Sequence, residues 1–229
     1  MLLSGNVKGA VISFLMALPI ILFSLSLHEA AHAYVAYKLG DPTARNIGRM
    51  TLNPFKHLNL FGFLSMLLVG IGWANPVPIN ARNFKNPRNG MAISALAGPV
   101  SNFLLGIVFA IASAVLLSLE LFDIIPLKGE LYIYGSVPAY YGYMFLYYGA
   151  TLNLSLAVFN MIPAPPFDGS RILYVFLPPK YYFKVMKYER YIGMGILVAF
   201  IFLSNVGIDL LGMIIDPIID LIYLLFGVL

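Results

Sequence analysis

The sequence predicts an all-α polytopic membrane protein with about five transmembrane helices and one re-entrant or hairpin-like membrane segment. Three observations predict it. Of 229 residues, 60% are hydrophobic and 10% are charged, against about 45–50% and about 25% in water-soluble domains. Mean hydropathy is +0.86, which implies more apolar surface than a small soluble fold can bury. The apolar runs also approach the ~20 residues of a membrane helix and are separated by Gly, Pro and charge. Cysteine is absent, which excludes disulfides, Cys-ligated zinc, iron–sulfur clusters and thiol nucleophiles and leaves any metal to His, Asp or Glu. The net charge of +4 does not point to nucleic acid, because loop orientation explains most Lys and Arg of a polytopic chain. The expected surroundings are the lipid bilayer.

The first helix is expected over roughly 9–39, stopped by Gly40 and the Asp41-Pro42 pair. Its apolar run continues past the length of a signal-peptide core into a charged motif, so no cleavable leader is expected. Leu58 to Trp73 is 16 residues long and holds Gly62, Gly70 and Gly72. That is short for a span, and a segment that enters and leaves on one side fits it better. Residues 90–119, 138–162, 190–204 and 206–227 read as the remaining spans, with 120–137 as a loop. Residues 1–229 are expected to form a single membrane-embedded domain, with a motif-bearing core at about 9–175 and C-terminal helices at about 190–227. No length is left for an added soluble domain of ~100 residues.

Loop charge orients this arrangement. Lys38, Arg45, Arg49, Lys56, Arg82, Lys85 and Arg88 flank the 58–73 run, and Arg171, Lys180, Lys184, Lys187 and Arg190 lie between 163 and 190. If 58–73 does not cross, 12 of the 14 basic residues share one face. The positive-inside rule makes that face cytoplasmic and the N-terminus external. The 120–137 loop, with Glu120, Asp123 and Glu130 against Lys128, falls on the outer side.

Inside the first helix the chain reads Leu27-His28-Glu29-Ala30-Ala31-His32. Ionisable groups at that depth are costly in lipid and normally face a cavity or bundle interior. His28 and His32 project from one helix face, one turn apart, and can meet one metal ion. In such an H-E-x-x-H arrangement the Glu takes a proton from the activated water and passes it to the leaving amine. The alternative is a hydrogen-bonded polar knot between helices. A zinc enzyme needs a third protein ligand and an open fourth position. His57, in a basic loop, reads as solvated or interfacial. Asp168 is the better candidate, since Pro163, Pro165 and Pro166 force extended chain before it and Gly169 permits a sharp turn after it. The spacing equally allows Asp168 to be the N-cap of a helix starting at Ser170-Arg171.

These residues resemble the site-2 proteases, which are intramembrane zinc metalloproteases. The resemblance rests on His28-Glu29-Ala30-Ala31-His32 and on Asn160-Met161-Ile162-Pro163-Ala164-Pro165-Pro166-Phe167-Asp168-Gly169. It extends through 39–45, Thr51-Leu52-Asn53-Pro54, Trp73-Ala74-Asn75-Pro76-Val77-Pro78-Ile79-Asn80 and Ala97-Gly98-Pro99-Val100-Ser101-Asn102, which are similar to a compact prokaryotic branch. It implies Zn2+ on His28, His32 and Asp168, catalysis by Glu29, and Asn160 as a polar group near the scissile carbonyl. Asn160 can equally tie the Pro163–Pro166 segment to a neighbouring helix. Nothing resembles an inserted PDZ or nucleotide-sensing module, so substrate selection is expected to lie in the membrane core and its loops.

The function expected is hydrolysis of a peptide bond in or near a partner's transmembrane segment. A helical substrate must unwind first, because its scissile amide is locked in hydrogen bonds. Asn75, Pro76, Val77 and Pro78 can offer an edge for the unwound strand, or serve only as a rigid return loop. Other readings are weaker. A CAAX-type metallopeptidase needs a Glu as third ligand, and only Glu189 lies downstream on the same face. Serine and aspartyl intramembrane proteolysis lack their G-x-S-G and G-x-G-D motifs. A metal transporter or inactive scaffold draws on Asp209, Asp216 and Asp220, whose spacings of seven and four put them on one helix face.

Overall fold

The computed structural model describes residues 7–69, 72–127 and 130–228. Helix α1 (Val7–Lys38) is followed by a short α2 (Thr43–Asn46), α3 (Leu60–Val69) and the long α4 (Pro87–Ser118). A hairpin of β1 (Phe122–Leu127) and β2 (Glu130–Gly135) leads to α5 (Val137–Asn160), α6 (Gly169–Leu173), α7 (Pro179–Met186), α8 (Glu189–Asn205) and α9 (Gly212–Leu225). Gly40 ends α1 in the left-handed region at φ 108°, a conformation that only glycine adopts without strain.

Among the described residues, two stretches, Val11–Lys38 and Pro87–Ser118, are long and apolar enough to cross a bilayer. Only 28% of the latter window is buried, and Ile93, Leu96, Val100, Leu104, Val108 and Val115 lie exposed along it. A core helix of a soluble protein would hide these side chains; lipid accepts them. The internal Pro19 and Pro99 are likewise tolerated far better in membrane helices than in soluble ones.

The 58–73 run contains ten residues of helix, and its ends meet. Leu58 and Ala74 form an antiparallel bridge, closed by the Asn75 N–H donating to the His57 carbonyl at 2.8 Å. Gly62 is required there, because a Cβ on it would lie 2.9 Å from the Trp73 backbone nitrogen. Gly70, part of the same run, lies outside the described residues, as does Lys128.

Three expectations need correction. The 120–137 segment is a two-stranded antiparallel hairpin pairing Phe122 with Gly135 through Leu127 with Glu130, so the fold is mostly helical rather than all-α. Its β-branched and aromatic residues favour extended chain, and Phe122 packs on Tyr140 and Tyr143 at ring distances of 5.7 Å. The last helix begins at Gly212, six residues later than expected, because Gly207 at φ 84° closes α8. His57 is not solvated: it is 2% exposed, with Nε2 2.8 Å from the Thr51 carbonyl oxygen.

The chain forms two compact units. One gathers the residues up to Ile21, Leu104–Ser155 and those from Gly212 onward. Its interior is tight at Gly106 against Leu154 and Gly149 against the Phe109 ring, and Ser113 and Tyr223 share a buried hydrogen bond of 2.8 Å. The other gathers Leu22–Phe103 and Leu156–Leu211, with a small core of Ala33, Ala44 and Val77 flanked by Met50.

Candidate metal centre

The site lies wholly within the second unit. On α1, the four-residue spacing puts His28 and His32 on one face with ring centroids 4.6 Å apart and planes nearly perpendicular. Their Nε2 atoms are 3.0 Å apart. The third group arrives from the loop after α5. Asn160 ends that helix, the proline-rich stretch turns, and Gly169 fits because a Cβ there would fall on the Met161 and Ile162 carbonyls. The turn delivers Asp168 Oδ2 to 3.1 Å from both histidine Nε2 atoms. Asp168 does stand at the N-cap position of α6, but its side chain makes no capping bond.

Donor atoms of His28, His32 and Asp168 all lie within 4.8 Å of one another, and among the described residues no other group of three His, Asp or Glu converges in this way. The set fits zinc. Ligands about 2.0–2.2 Å from a tetrahedral ion stand about 3.3–3.6 Å apart, within a few tenths of an ångström of the observed 3.0–3.1 Å. The histidines are 6% and 5% exposed, so uncompensated ring nitrogens here are costly. His32 Nδ1 lies 2.7 Å from the Ser94 carbonyl oxygen. Only an N–H can serve that carbonyl, which leaves the Nε2 lone pair for a metal. Glu29 is buried beside the pair, and its Oε2 accepts a hydrogen bond from the Val77 N–H at 2.7 Å.

Helix α4 closes the other side. Gly98 packs directly on both imidazoles: a Cβ there would lie 2.6 Å from His28 Nε2 and closer still to His32 Nε2. The A-G-P-V-S-N run was visible in the sequence, yet nothing in it alone showed which glycine a metal ligand would touch.

Asn160 donates its side-chain N–H to the Leu156 carbonyl at 2.9 Å, within its own helix. In the Asn75–Pro78 stretch, the Asn75 carbonyl accepts from Arg49 at 2.6 Å, and its side chain holds Leu58 and Asn59. Val77 is 5% exposed and belongs to the core. Pro76 and Pro78 carry no N–H. The stretch therefore presents carbonyls more readily than amides.

The residues of the weaker readings stand apart. Glu189 is exposed at the start of α8 and outside the converging group. Asp209, Asp216 and Asp220 are exposed, while Ile215, Ile219, Ile222 and Tyr223 form the buried face of α9.

After the end of α1, Asp41 is 1% exposed and accepts from the Thr43 N–H and hydroxyl, the Asn80 N–H and the Asn83 side chain at 2.5–3.1 Å. Burial works to raise its pKa, but these bonds more than offset that and hold the carboxyl below its ordinary value. Asp41 thereby ties the end of α1 to the loop that carries Val77.

The sequence profile of peptidase family M50 matches residues 16–203, which includes every group of the site. YwhC of Bacillus subtilis (strain 168), named as a candidate zinc metalloprotease, is 38% identical over 181 residues, 79% of this chain and 78% of its own. Zinc metalloprotease MJ0392 of Methanocaldococcus jannaschii is 34% identical over 179 residues, 77% of this chain and 39% of its own. Rip2 of Mycolicibacterium smegmatis, also named as a candidate zinc metalloprotease, is 30% identical over 164 residues, 69% of this chain and 56% of its own. No solved structure matches.

Proposed function

The chain belongs to peptidase family M50 and is a zinc metalloprotease, and from that premise we propose that it hydrolyses peptide bonds in or near the transmembrane segments of membrane-protein substrates. His28, His32 and Asp168 hold the zinc, and Glu29 is the general base. The observation that carries this reading is the convergence of the three donor sets within 4.8 Å, beside a buried carboxylate. Zinc bound there supplies a Lewis acid that lowers the pKa of a water to about 7.

The chain's own residues do the rest. The Val77 N–H holds one oxygen of Glu29, leaving the other to take the proton of the attacking water and return it to the leaving amine. His32 lies six residues before the end of α1 and His28 ten, or about 9 and 15 Å at 1.5 Å per residue. That depth favours a scissile bond inside or just under the membrane surface. An unwound substrate strand pairs with the carbonyls of Pro76 and Pro78, beside the engaged Asn75 and Val77. Asn160 assists from the end of α5 once its amide leaves the Leu156 carbonyl. Residues 1–229 act as one membrane-embedded protease domain with five spans, 58–73 being re-entrant and the basic loops cytoplasmic.

The test is zinc content by mass spectrometry beside cleavage of a panel of single-span substrates. Glu29→Gln is expected to keep one zinc and lose turnover; retained turnover sinks the assignment. Asp168→Ala is expected to fall well below one equivalent of zinc, since two ligands leave a tetrahedral site incomplete. Full occupancy in that variant means that the third ligand lies elsewhere.

A further inference from the structure

Among the described residues of the second unit, five side chains have buried polar atoms without a partner, and three of them fall one helical turn apart along two packed helices. His28 Nδ1, Ser24 Oγ and both amide atoms of Asn102 make no hydrogen bond. Ser24 and Asn102 are 0% exposed. Ser24 precedes His28 by four residues, so α1 presents Ser24, His28 and His32 on one face. Asn102 follows Gly98 by four residues on α4, again on one face.

The register between these faces is given by two contacts. Ser94 meets His32 through the 2.7 Å contact to Nδ1, and Gly98 meets both histidines. As α4 advances from 94 to 98, α1 recedes from 32 towards 28, so the helices run antiparallel here. One further turn, about 6 Å on each helix, brings Asn102 level with Ser24. The His28 ring turns its Cε1–Nε2 edge towards Gly98, and Nδ1 is the next ring atom after Cε1. With Nε2 turned to His32 at 3.0 Å and Cε1 against Gly98, Nδ1 lies across Cε1 from Nε2 and so away from His32 along α1, the direction in which Ser24 and Asn102 follow.

We propose that Asn102 is the positioning residue of the zinc ligand His28: through one buried water also held by Ser24 Oγ, its carboxamide oxygen receives the His28 Nδ1–H. A water fits these groups. It can accept from the imidazole N–H, donate to the Asn102 oxygen and exchange a hydrogen bond with the Ser24 hydroxyl, the two to four partners a buried water needs. The arrangement fixes the tautomer that turns the Nε2 lone pair towards the metal, as the Ser94 carbonyl does for His32. Partners of this kind tune metal affinity by about 10–100-fold. The proposal rests on His28 being a zinc ligand.

The test is zinc affinity of the full chain in detergent, measured by competition with a fluorescent chelator. The melting temperature of the metal-free protein and the visible spectrum of the cobalt-substituted protein accompany it. Asn102→Ala is expected to bind zinc about 10–100-fold more weakly, with an altered cobalt spectrum and an unchanged metal-free melting temperature. Asn102→Asp, which keeps an acceptor, is expected to bind at parent affinity or tighter. An Asn102→Ala protein that binds within twofold of the parent overturns the proposal, and so does an Asn102→Asp protein as weak as the Ala variant. If Asn102→Ala does not fold, Asn102→Leu, similar in size but without an acceptor, takes its place under the same twofold criterion. His28→Ala separates the underlying reading: full zinc binding in it overturns the metal site itself, whereas zinc lost there but kept in Asn102→Ala overturns only the role of Asn102.

Discussion

Gly98 shows how little room the centre leaves at the scale of one residue. A single methyl there would press on the Nε2 atoms of both histidines, and a helix carrying an internal proline at the next position cannot slide its backbone away without losing the Ser94 contact. Gly98→Ala is therefore expected to weaken zinc binding by at least the roughly 10–100-fold seen when groups around a metal ligand are disturbed. Chelator competition measures this, and parent-like affinity would contradict the packing described. Asp41 offers a pH test. Its carboxyl is held below the ordinary value, so its contribution to stability is complete above the unfolded carboxyl's pKa of about 3.9 and fades as pH falls through the folded one. The parent is expected to melt above Asp41→Asn at pH 6, with the gap closing below about pH 4 as Asp41 becomes protonated. A gap independent of pH would show that the charge is not what matters. The histidine pair was legible in the sequence because both members sit on one helix at a fixed spacing. Asp168 was legible only as one of two possibilities, since whether it caps α6 or turns to the histidines is settled by packing 136 and 140 residues away. The roles of Gly98 and of the Val77 amide were not legible, because each depends on interhelical register that no local pattern encodes.

At the scale of elements, the helices in the 7–38, 87–118, 137–160 and 189–205 regions follow apolar runs that Gly, Pro and charge delimit, and the sequence marked them closely. The hairpin at 122–135 was missed because its charged residues suggested an ordinary loop, while its strand signal is the weaker one of β-branched and aromatic residues over six positions on each side. The 58–73 segment was read from its shortness, and its geometry yields a separate test. Leu58 and Ala74 face each other across an antiparallel bridge flanked by the Asn75-to-His57 bond, the arrangement in which opposed Cα atoms approach to about 4.5 Å. That lies within the range a disulfide spans, about 4.4–6.8 Å. In this chain, which has no cysteine of its own, the double variant Leu58→Cys/Ala74→Cys is expected to form an intramolecular disulfide on mild oxidation. Protection from a mass-tagging maleimide until a reductant is added would show it. Two freely reactive thiols would mean that the ends of the segment do not meet.

On the scale of the whole molecule, the orientation proposed for the protease rests on where the basic residues fall. The 38–88 and 163–190 stretches carry 12 of the 14 Lys and Arg residues, and a non-crossing 58–73 segment keeps them on one face. Were that segment to cross, Lys38, Arg45, Arg49 and Lys56 would lie opposite Arg82, Lys85 and Arg88, and the charge bias that orients membrane proteins would weaken from 12 against 2 to 9 against 5. The joined ends at Leu58 and Ala74 favour the first arrangement. On the proposed arrangement the positive-inside rule predicts cytoplasmic basic loops and an external segment between α4 and α5. Single cysteines at Leu52, Lys85 and Lys184, all exposed, are expected to react with an impermeant maleimide only in inverted vesicles or after permeabilisation. A cysteine at the exposed Leu121 is expected to react in intact cells. Because Leu52 and Lys85 bracket the short segment, their labelling from opposite sides would overturn its re-entrant path, the helix count and the orientation together, whereas labelling of all three basic-loop sites from outside would reverse the orientation alone.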